Sequence, residues 1–253
     1  MHHAVADTVL ANSLLRSRPE VAPQKVGLTG ISWGGVIAST EIGIGPRLAF
    51  ASPTYGCGHL FDAANQWGEA LDGNRLYREV WDPMVQVQRA KMPVLWLSWP
   101  GEMAILLDCQ AACYQASPGT RMVSPIPGME HSRRARWNPP DSHAFADSFV
   151  RSGKPWLAQT SAGLFQGRIR VRLGAAKALD SAALNWTGDT GLTGSRNWRE
   201  APATLEKEAG RRLLTAGSPE NATACFVNVR SRDLTAGSDS PVIPRLIEDG
   251  GAE

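Results

Sequence analysis

Gly30-Ile31-Ser32-Trp33-Gly34-Gly35 contains the pattern G-x-S-x-G, between a strand-like segment, residues 25–29, and a helix-like segment, residues 36–42. In that context the pattern predicts a nucleophile elbow, where glycines permit a sharp turn and the serine hydroxyl projects from the sheet. Because a helix begins at the turn, its free N–H groups, that of Trp33 among them, would face an oxyanion. The alternative is a chance match in a chain with 25 glycines.

Composition and charge narrow the class of protein. The 253 residues suit one large domain, or a medium domain with a small one, and a hydrophobic fraction of 43% allows a buried core. A net charge of +2 without a dense basic run argues against a nucleic-acid partner. No apolar segment is long enough to span a membrane, so no membrane partner is expected. The four cysteines lack metal-site spacing, and we expect neither a metal nor another cofactor.

The N-terminus predicts an incomplete sheet. An amphipathic helix, residues 4–16, follows Met1-His2-His3 directly, and nothing there resembles a signal peptide. The elbow strand comes next, although an elbow ordinarily lies in the middle of its sheet, after several strands. We therefore expect a fragment without its N-terminal half, with an abbreviated sheet as the alternative. Localisation stays open, because a signal peptide would lie upstream of Met1.

Strand and helix patterns alternate as far as Gly153-Lys154-Pro155, after which only short strands follow. Alternation predicts a parallel sheet with helices on its faces, and the evenly spaced short strands predict an antiparallel β-sandwich. The predicted strands are residues 48–52, 94–97, 121–124, 168–173, 182–187, 203–205, 211–214 and 224–229, and the later predicted helices are residues 82–90, 106–115 and 141–151. We predict an α/β catalytic domain over residues 1–157 and a β-sandwich domain with a polar tail over residues 158–253.

A catalytic base for Ser32 must be a histidine later in the chain. His131 lies in a loop rich in proline and glycine just after a predicted strand, where a general base could reach the serine. His143 lies within a predicted helix, where a partly buried structural role is expected. His131 is therefore the candidate base, with an ordinary surface histidine as the alternative.

The acid should follow the strand of residues 94–97. Glu102 is the only carboxylate in the loop after that strand, whereas Asp108 falls in the next helix, where it would cap or solvate the helix end. The acid need only hold the imidazole tautomer and stabilise the imidazolium. Glu102 is the candidate, and a solvated loop residue is the alternative.

These motifs, in order, resemble those of bacterial acetylxylan esterase-like α/β-hydrolases, related to the dienelactone hydrolase and prolyl oligopeptidase group. Where members of that family usually carry an aspartate, this chain has Glu102, and of the family's His-x-His pair it keeps only His131. The likeness covers nearly the whole chain in pieces: the stretch from His3 to Gly35, Tyr55-Gly56-Cys57-Gly58, Trp81-Asp82-Pro83, Met92-Pro93-Val94-Leu95-Trp96, Phe145-Ala146-Asp147-Ser148-Phe149, Thr190-Gly191, Arg196-Asn197-Trp198 and Phe226-Val227-Asn228-Val229.

The resemblance implies the C-terminal part of an α/β-hydrolase parallel sheet and a serine carboxylesterase that cleaves acetyl esters, of a small molecule or of a polysaccharide such as xylan. Aromatic residues of the pocket would stack on sugar rings: Tyr55, Trp67 and Trp99. Full-length relatives are expected in the periplasm or outside the cell. Two alternatives stay open: an inactive hydrolase remnant that acts as a binding protein, and a peptidase of the prolyl oligopeptidase type. Oligomeric state is not predicted.

Overall fold

The computed structural model describes residues 1–131, 140–208 and 210–238, so the predicted polar tail lies outside the described residues. Within these ranges, no helix is both long and apolar enough to cross a bilayer. The α-helices are α1 (His2–Arg16), α2 (Trp33–Ile44), α3 (Gln66–Leu71), α4 (Pro83–Gln86), α5 (Leu107–Ala116) and α6 (Pro140–Ser152). Single turns of 3-10 helix cover Pro23–Lys25, Leu60–Asp62, Val87–Arg89 and Thr193–Ser195, and a π-helical turn covers Tyr77–Trp81.

The described residues contain twelve strands in two sheets. The strands are β1 (Leu28–Ile31), β2 (Ala51–Thr54), β3 (Val94–Ser98), β4 (Arg121–Pro125), β5 (Leu157–Phe165), β6 (Arg168–Ala175), β7 (Ser181–Thr187), β8 (Arg199–Pro202), β9 (Thr204–Glu208), β10 (Arg211–Gly217), β11 (Ala224–Ser231) and β12 (Leu234–Gly237). Eight of them lie in the order β1-β2-β3-β4-β12-β11-β7-β8, and the other four lie in the order β5-β6-β10-β9.

In the parallel half of the larger sheet, β2 and β3 are buried on both faces, whereas the edge strand β1 is partly exposed. Alternate residues of β3 point to opposite faces, as strand geometry requires. Trp96 packs with residues of α2 and α5 on one face. Leu95 and Leu97 pack on the other face with Phe145 of α6 and with the C-terminal strands. Continuous burial of β3 explains why this strand is recognisable in the sequence as an apolar run.

The C-terminal strands continue the same sheet. Strand β12 pairs antiparallel with β4 through Gly237 and Val123. The side-chain amide of Asn228 donates to the carbonyl of Pro125 at 2.9 Å, and Ser124 Oγ donates to the carbonyl of Thr235 at 2.6 Å. The smaller sheet packs into the same apolar cluster, so the two antiparallel layers have one core.

The predicted α/β class with a parallel sheet and a second, antiparallel sheet is confirmed. The predicted β-sandwich differs in one respect. One of its two layers, formed by β12, β11, β7 and β8, continues the main sheet, because β12 pairs with the free edge of β4. The boundary near residue 157 stays a prediction. Every strand predicted from the sequence has a counterpart within a few residues, while β5, β8 and β12 were not predicted.

Candidate active site

Ser32 occupies a sharp turn between β1 and α2. Its backbone has φ 59° and ψ −124°, and its N–H donates to the carbonyl of Thr54 at 3.0 Å. A positive φ at a non-glycine residue costs about 1–3 kcal/mol and is characteristic of functional turns. A Cβ on Gly30 would lie 2.1 Å from the carbonyl oxygen of Gly34, so the turn needs glycine at that position. Helix α2 begins at Trp33, directly after the serine.

Glu102 lies in the loop between β3 and α5, residues 99–106, which we call the acid loop. Its side chain is buried, with 1% of the residue exposed. One carboxylate oxygen, Oε1, accepts hydrogen bonds from the backbone N–H groups of Ala104 at 2.7 Å and Ile105 at 3.3 Å. These two bonds fix the carboxylate and leave Oε2 for another donor.

His131 lies between Glu102 and Ser32. Its Nδ1 is 2.5 Å from Oε2 of Glu102, and its Nε2 is 3.0 Å from Oγ of Ser32. A carboxylate can only accept, so Nδ1 carries the proton and Nε2 is free to accept the serine proton. The imidazole is about a quarter exposed. The arrangement can therefore draw a proton from Ser32 while water or a substrate reaches the site.

The three residues meet because each follows a strand of the parallel sheet. Ser32 follows β1, Glu102 follows β3 and His131 lies a few residues after β4. The carboxyl ends of parallel strands lie along one edge of the sheet, where ligands bind in open α/β sheets. The structure thus brings together the three residues predicted as nucleophile, acid and base.

Tyr55, predicted as a pocket residue, has a different place. Its side chain is fully buried, with 0% exposed, so it cannot line an open pocket. The phenol ring lies parallel to the ring of His131, and its hydroxyl donates to the carbonyl of Glu130 at 2.9 Å. Tyr55 has φ 58°, a strained conformation for a residue other than glycine. We correct the prediction: Tyr55 supports the His131 loop.

The tryptophans form a half-buried aromatic cluster beside Ser32. Trp33 stacks on Trp67 with ring centroids 5.2 Å apart and on Tyr77 with centroids 6.4 Å apart. Burial raises the pKa of Tyr77, so its phenol stays neutral. Trp99 packs against the same apolar cluster. The predicted contact of Trp67 and Trp99 with substrate stays a prediction.

The rejected candidates lie elsewhere. His143 is exposed on α6, contrary to the partly buried role expected for it. Asp108 lies in the first turn of α5, as expected. An open cleft of about 760 Å³ lies beside the acid loop, and none of Ser32, Glu102 and His131 lines it. We place the candidate chemistry at the three residues, because hydrogen bonds connect them, whereas a cleft volume by itself defines no reaction.

Comparison with solved structures identifies the architecture. A puromycin-hydrolyzing peptidase from Mycobacterium tuberculosis superposes with a TM-score of 0.51 at 17% identity, and a puromycin hydrolase with a TM-score of 0.50 at 14% identity. The chain has the α/β-hydrolase fold. An acetyl xylan esterase from Paenibacillus sp. R4 superposes with a lower TM-score, 0.47, at 19% identity. No protein-family model and no curated protein sequence matches the chain.

The overlap with these α/β-hydrolases is partial on both sides. The matches cover 58% of this chain in each case. They cover 25% of either puromycin-hydrolysing protein and 51% of the Paenibacillus esterase. The chain therefore spans about half the length, or less, of the proteins it resembles.

Sequence reasoning missed the residues that hold the acid loop of this α/β-hydrolase fold. The amide of Asn65 donates to the carbonyls of Met103 at 2.9 Å and Ala104 at 3.0 Å, while its Oδ1 caps α3. An asparagine before a short helix signals a cap in the sequence. Its second contact, nearly forty residues away, has no local signal.

Proposed function

We propose that this chain is a serine hydrolase that cleaves carboxylic esters, with acetyl esters as the substrate class. The observation that carries the proposal is the imidazole of His131, which lies within hydrogen-bond distance of both Ser32 Oγ and the buried carboxylate of Glu102. Nucleophile, base and orienting acid in this order constitute the geometry that acyl transfer requires.

In the proposed reaction Oγ of Ser32 attacks the carbonyl carbon of the ester while Nε2 of His131 takes the hydroxyl proton. The tetrahedral oxyanion lies at the start of α2, where the N–H of Trp33 donates to it. His131 returns the proton to the leaving alcohol as the C–O bond breaks. Water then gives a proton to His131 and attacks the acyl carbon, and His131 passes that proton to Oγ of Ser32 as the acyl C–Oγ bond breaks, which releases acetic acid and free Ser32. Glu102 accepts from Nδ1 throughout and stabilises the imidazolium.

Support for an acetyl group and for a sugar ester comes from the resemblance of the sequence to acetylxylan esterase-like proteins. The aromatic pair Trp33 and Trp67 gives this proposal a physical basis, since flat apolar rings stack on the faces of sugars. Trp99 contributes to the same cluster. A polysaccharide substrate would lie outside the cell, which agrees with the periplasmic or extracellular location expected of full-length relatives.

Hydrolysis of a chromogenic acetate ester tests the proposal. Wild-type protein should release the chromophore far faster than the Ser32→Ala variant, with residual activity reduced by a factor of about 10³ or more. Equal background rates for the two proteins would contradict it and favour a non-catalytic hydrolase remnant. Acetylated xylan oligosaccharides, followed by acetate release, then test the sugar ester.

A peptide amide is the second candidate substrate. This candidate is favoured by the superposition with the peptidase of Mycobacterium tuberculosis, which has the highest of the three TM-scores given above. Turnover of a proline-containing peptide amide, without turnover of the acetate ester, would favour the peptidase. Both activities should depend on Ser32, so the Ser32→Ala variant is the control for each.

A further inference from the structure

The acid loop has a second support, which comes from the C-terminal part of the chain. The turn of helix Thr193–Ser195, between β7 and β8, lies against the backbone of Glu102. Its neighbour Trp198 contacts Phe226 of β11 with ring centroids 5.3 Å apart, and its indole N–H donates to the carbonyl of Thr193 at 3.2 Å. The turn is therefore attached to the antiparallel strands and contacts the acid loop from that side.

Gly194 is the point of closest approach. A Cβ on this residue would lie 2.2 Å from the carbonyl oxygen of Glu102, 2.6 Å from its carbonyl carbon and 3.0 Å from Cα of Met103. These neighbours are backbone atoms, which cannot rotate away as the end of a side chain can. Only glycine fits without moving the acid loop, and the reason is space, since the φ of Gly194 lies outside the left-handed range.

Thr193 supplies a missing helix cap. The residue before α5 is Leu106, whose apolar side chain cannot accept from the free N–H groups of the first turn. Oγ1 of Thr193 accepts from the N–H of Leu107 at 3.1 Å and donates to Oδ1 of Asp108 at 3.1 Å. Thr193 is 8% exposed, so these bonds are shielded from water. The start of α5, and with it the end of the acid loop, is fixed from 86 residues away.

We propose that Thr193 and Gly194 are positioning residues for Glu102, so that the C-terminal strands complete the active site. The inference rests on the proposed hydrolase function. Asn65 bonds the acid loop from the side of α3, and Thr193 and Gly194 hold it from the other side. The carboxylate of Glu102 then keeps its distance to His131. A displacement of the acid loop of about 1 Å can lower a rate by about 10²-fold.

Gly194→Ala tests the contact, and Gly217→Ala is its matched control. Gly217 also lies in the C-terminal part, and a Cβ there meets nothing within 4 Å. Hydrogen exchange measured by mass spectrometry reports on the amides of Ala104 and Ile105, which bond to Glu102. We expect exchange of that peptide to rise about 10-fold in Gly194→Ala and to stay at the wild-type rate in Gly217→Ala. In the ester assay kcat should fall about 10–100-fold for Gly194→Ala while KM stays unchanged.

A second pair decides the question if Gly194→Ala does not fold. Thr193→Val loses both bonds, and Thr193→Ser keeps the hydroxyl. We expect faster exchange and lower kcat in the valine variant and wild-type values in the serine variant. Wild-type exchange of the acid loop in Gly194→Ala and Thr193→Val would overturn the proposal. Faster exchange with unchanged kcat would also overturn it. If wild type itself shows no Ser32-dependent turnover, the proposed function fails, and exchange alone decides whether the turn holds the loop.

Discussion

The phenol ring of Tyr55 lies parallel to the imidazole of His131, with ring centroids 4.8 Å apart and an angle of 10° between the planes. Tyr55 follows β2, the strand that lies between β1 and β3, which precede Ser32 and Glu102. Its hydroxyl bond to the carbonyl of Glu130 holds the backbone next to His131. Two separate contacts thus fix the position of the candidate base.

The two contacts of Tyr55 can be separated by substitution. Tyr55→Phe keeps the stacked ring and loses one hydrogen bond, so we expect kcat to fall by less than about 10-fold. Tyr55→Leu keeps much of the volume and the backbone strain but loses the stacked ring, so we expect a fall of about 10–100-fold. Steady-state kinetics on the acetate ester, with thermal denaturation to check folding, measure both. Equal kcat values for the two variants would show that the ring has no positioning role.

We expect both carboxylate oxygens of Glu102 to contribute to the catalytic rate. Glu102→Gln replaces an acceptor by an amide and removes the charge beside Nδ1, and we expect kcat to fall by about 10³–10⁴-fold with little change in KM. Glu102→Asp keeps the charge but is one methylene short of spanning the distance between the Ala104 N–H and His131. We expect a loss of about 10–100-fold for it. A Gln variant with wild-type kcat would exclude Glu102 as the acid.

The glycines of the elbow should not be equivalent. Gly30→Ala forces a Cβ against the carbonyl of Gly34, and we expect it to lose about 1–3 kcal/mol of stability. A Cβ on Gly34 meets nothing within 4 Å, and alanine is the better helix former, so Gly34→Ala should be neutral or more stable by up to about 1 kcal/mol. Urea denaturation measures both. Equal destabilisation by the two variants would contradict this account of the turn.

Glu41 on α2 makes stability depend on pH. Burial raises the pKa of Glu41 from its ordinary 4.5 to about 7, partly opposed by the charge of Arg47. The folded state binds the proton of Glu41 more tightly than the unfolded chain does. The contribution of this proton to the free energy of unfolding is therefore fully present below pH 4.5 and is lost as the pH rises through about 7.

Glu41→Gln should remove that dependence. The rise in the pKa from 4.5 to about 7 corresponds to about 3 kcal/mol at pH 8. We therefore expect the variant to melt about 6–12 °C above wild type at pH 8 and to match it at low pH. Glu69→Gln, at an exposed site on α3, is the control and should keep the wild-type slope. Identical slopes of melting temperature against pH for Glu41→Gln and wild type would contradict the prediction.

The sequence alone could predict that Ser32, Glu102 and His131 lie close together, because each follows a recognisable strand, and their roles as nucleophile, acid and base stay a prediction. It could not predict the place of Tyr55. An aromatic residue in a glycine-rich loop resembles a pocket residue, and its burial follows from contacts with a loop 75 residues away. The sequence near Thr193 and Gly194 likewise gives no sign of their role, because the residues they contact, Leu107 and Glu102, lie far away in the chain. Strand β12 pairs with the neighbouring β11 as well as with the distant β4, and it was missed because its four residues, Leu234–Gly237, are too few to show a clear alternating pattern.

The most direct test of the account is covalent labelling with a fluorophosphonate, located by peptide mass spectrometry. We predict a single adduct on Oγ of Ser32, no adduct in Ser32→Ala, and labelling slower by about 10²-fold or more in His131→Gln. An adduct on another residue, or equal labelling rates for wild type and His131→Gln, would contradict the claim that His131 activates Ser32.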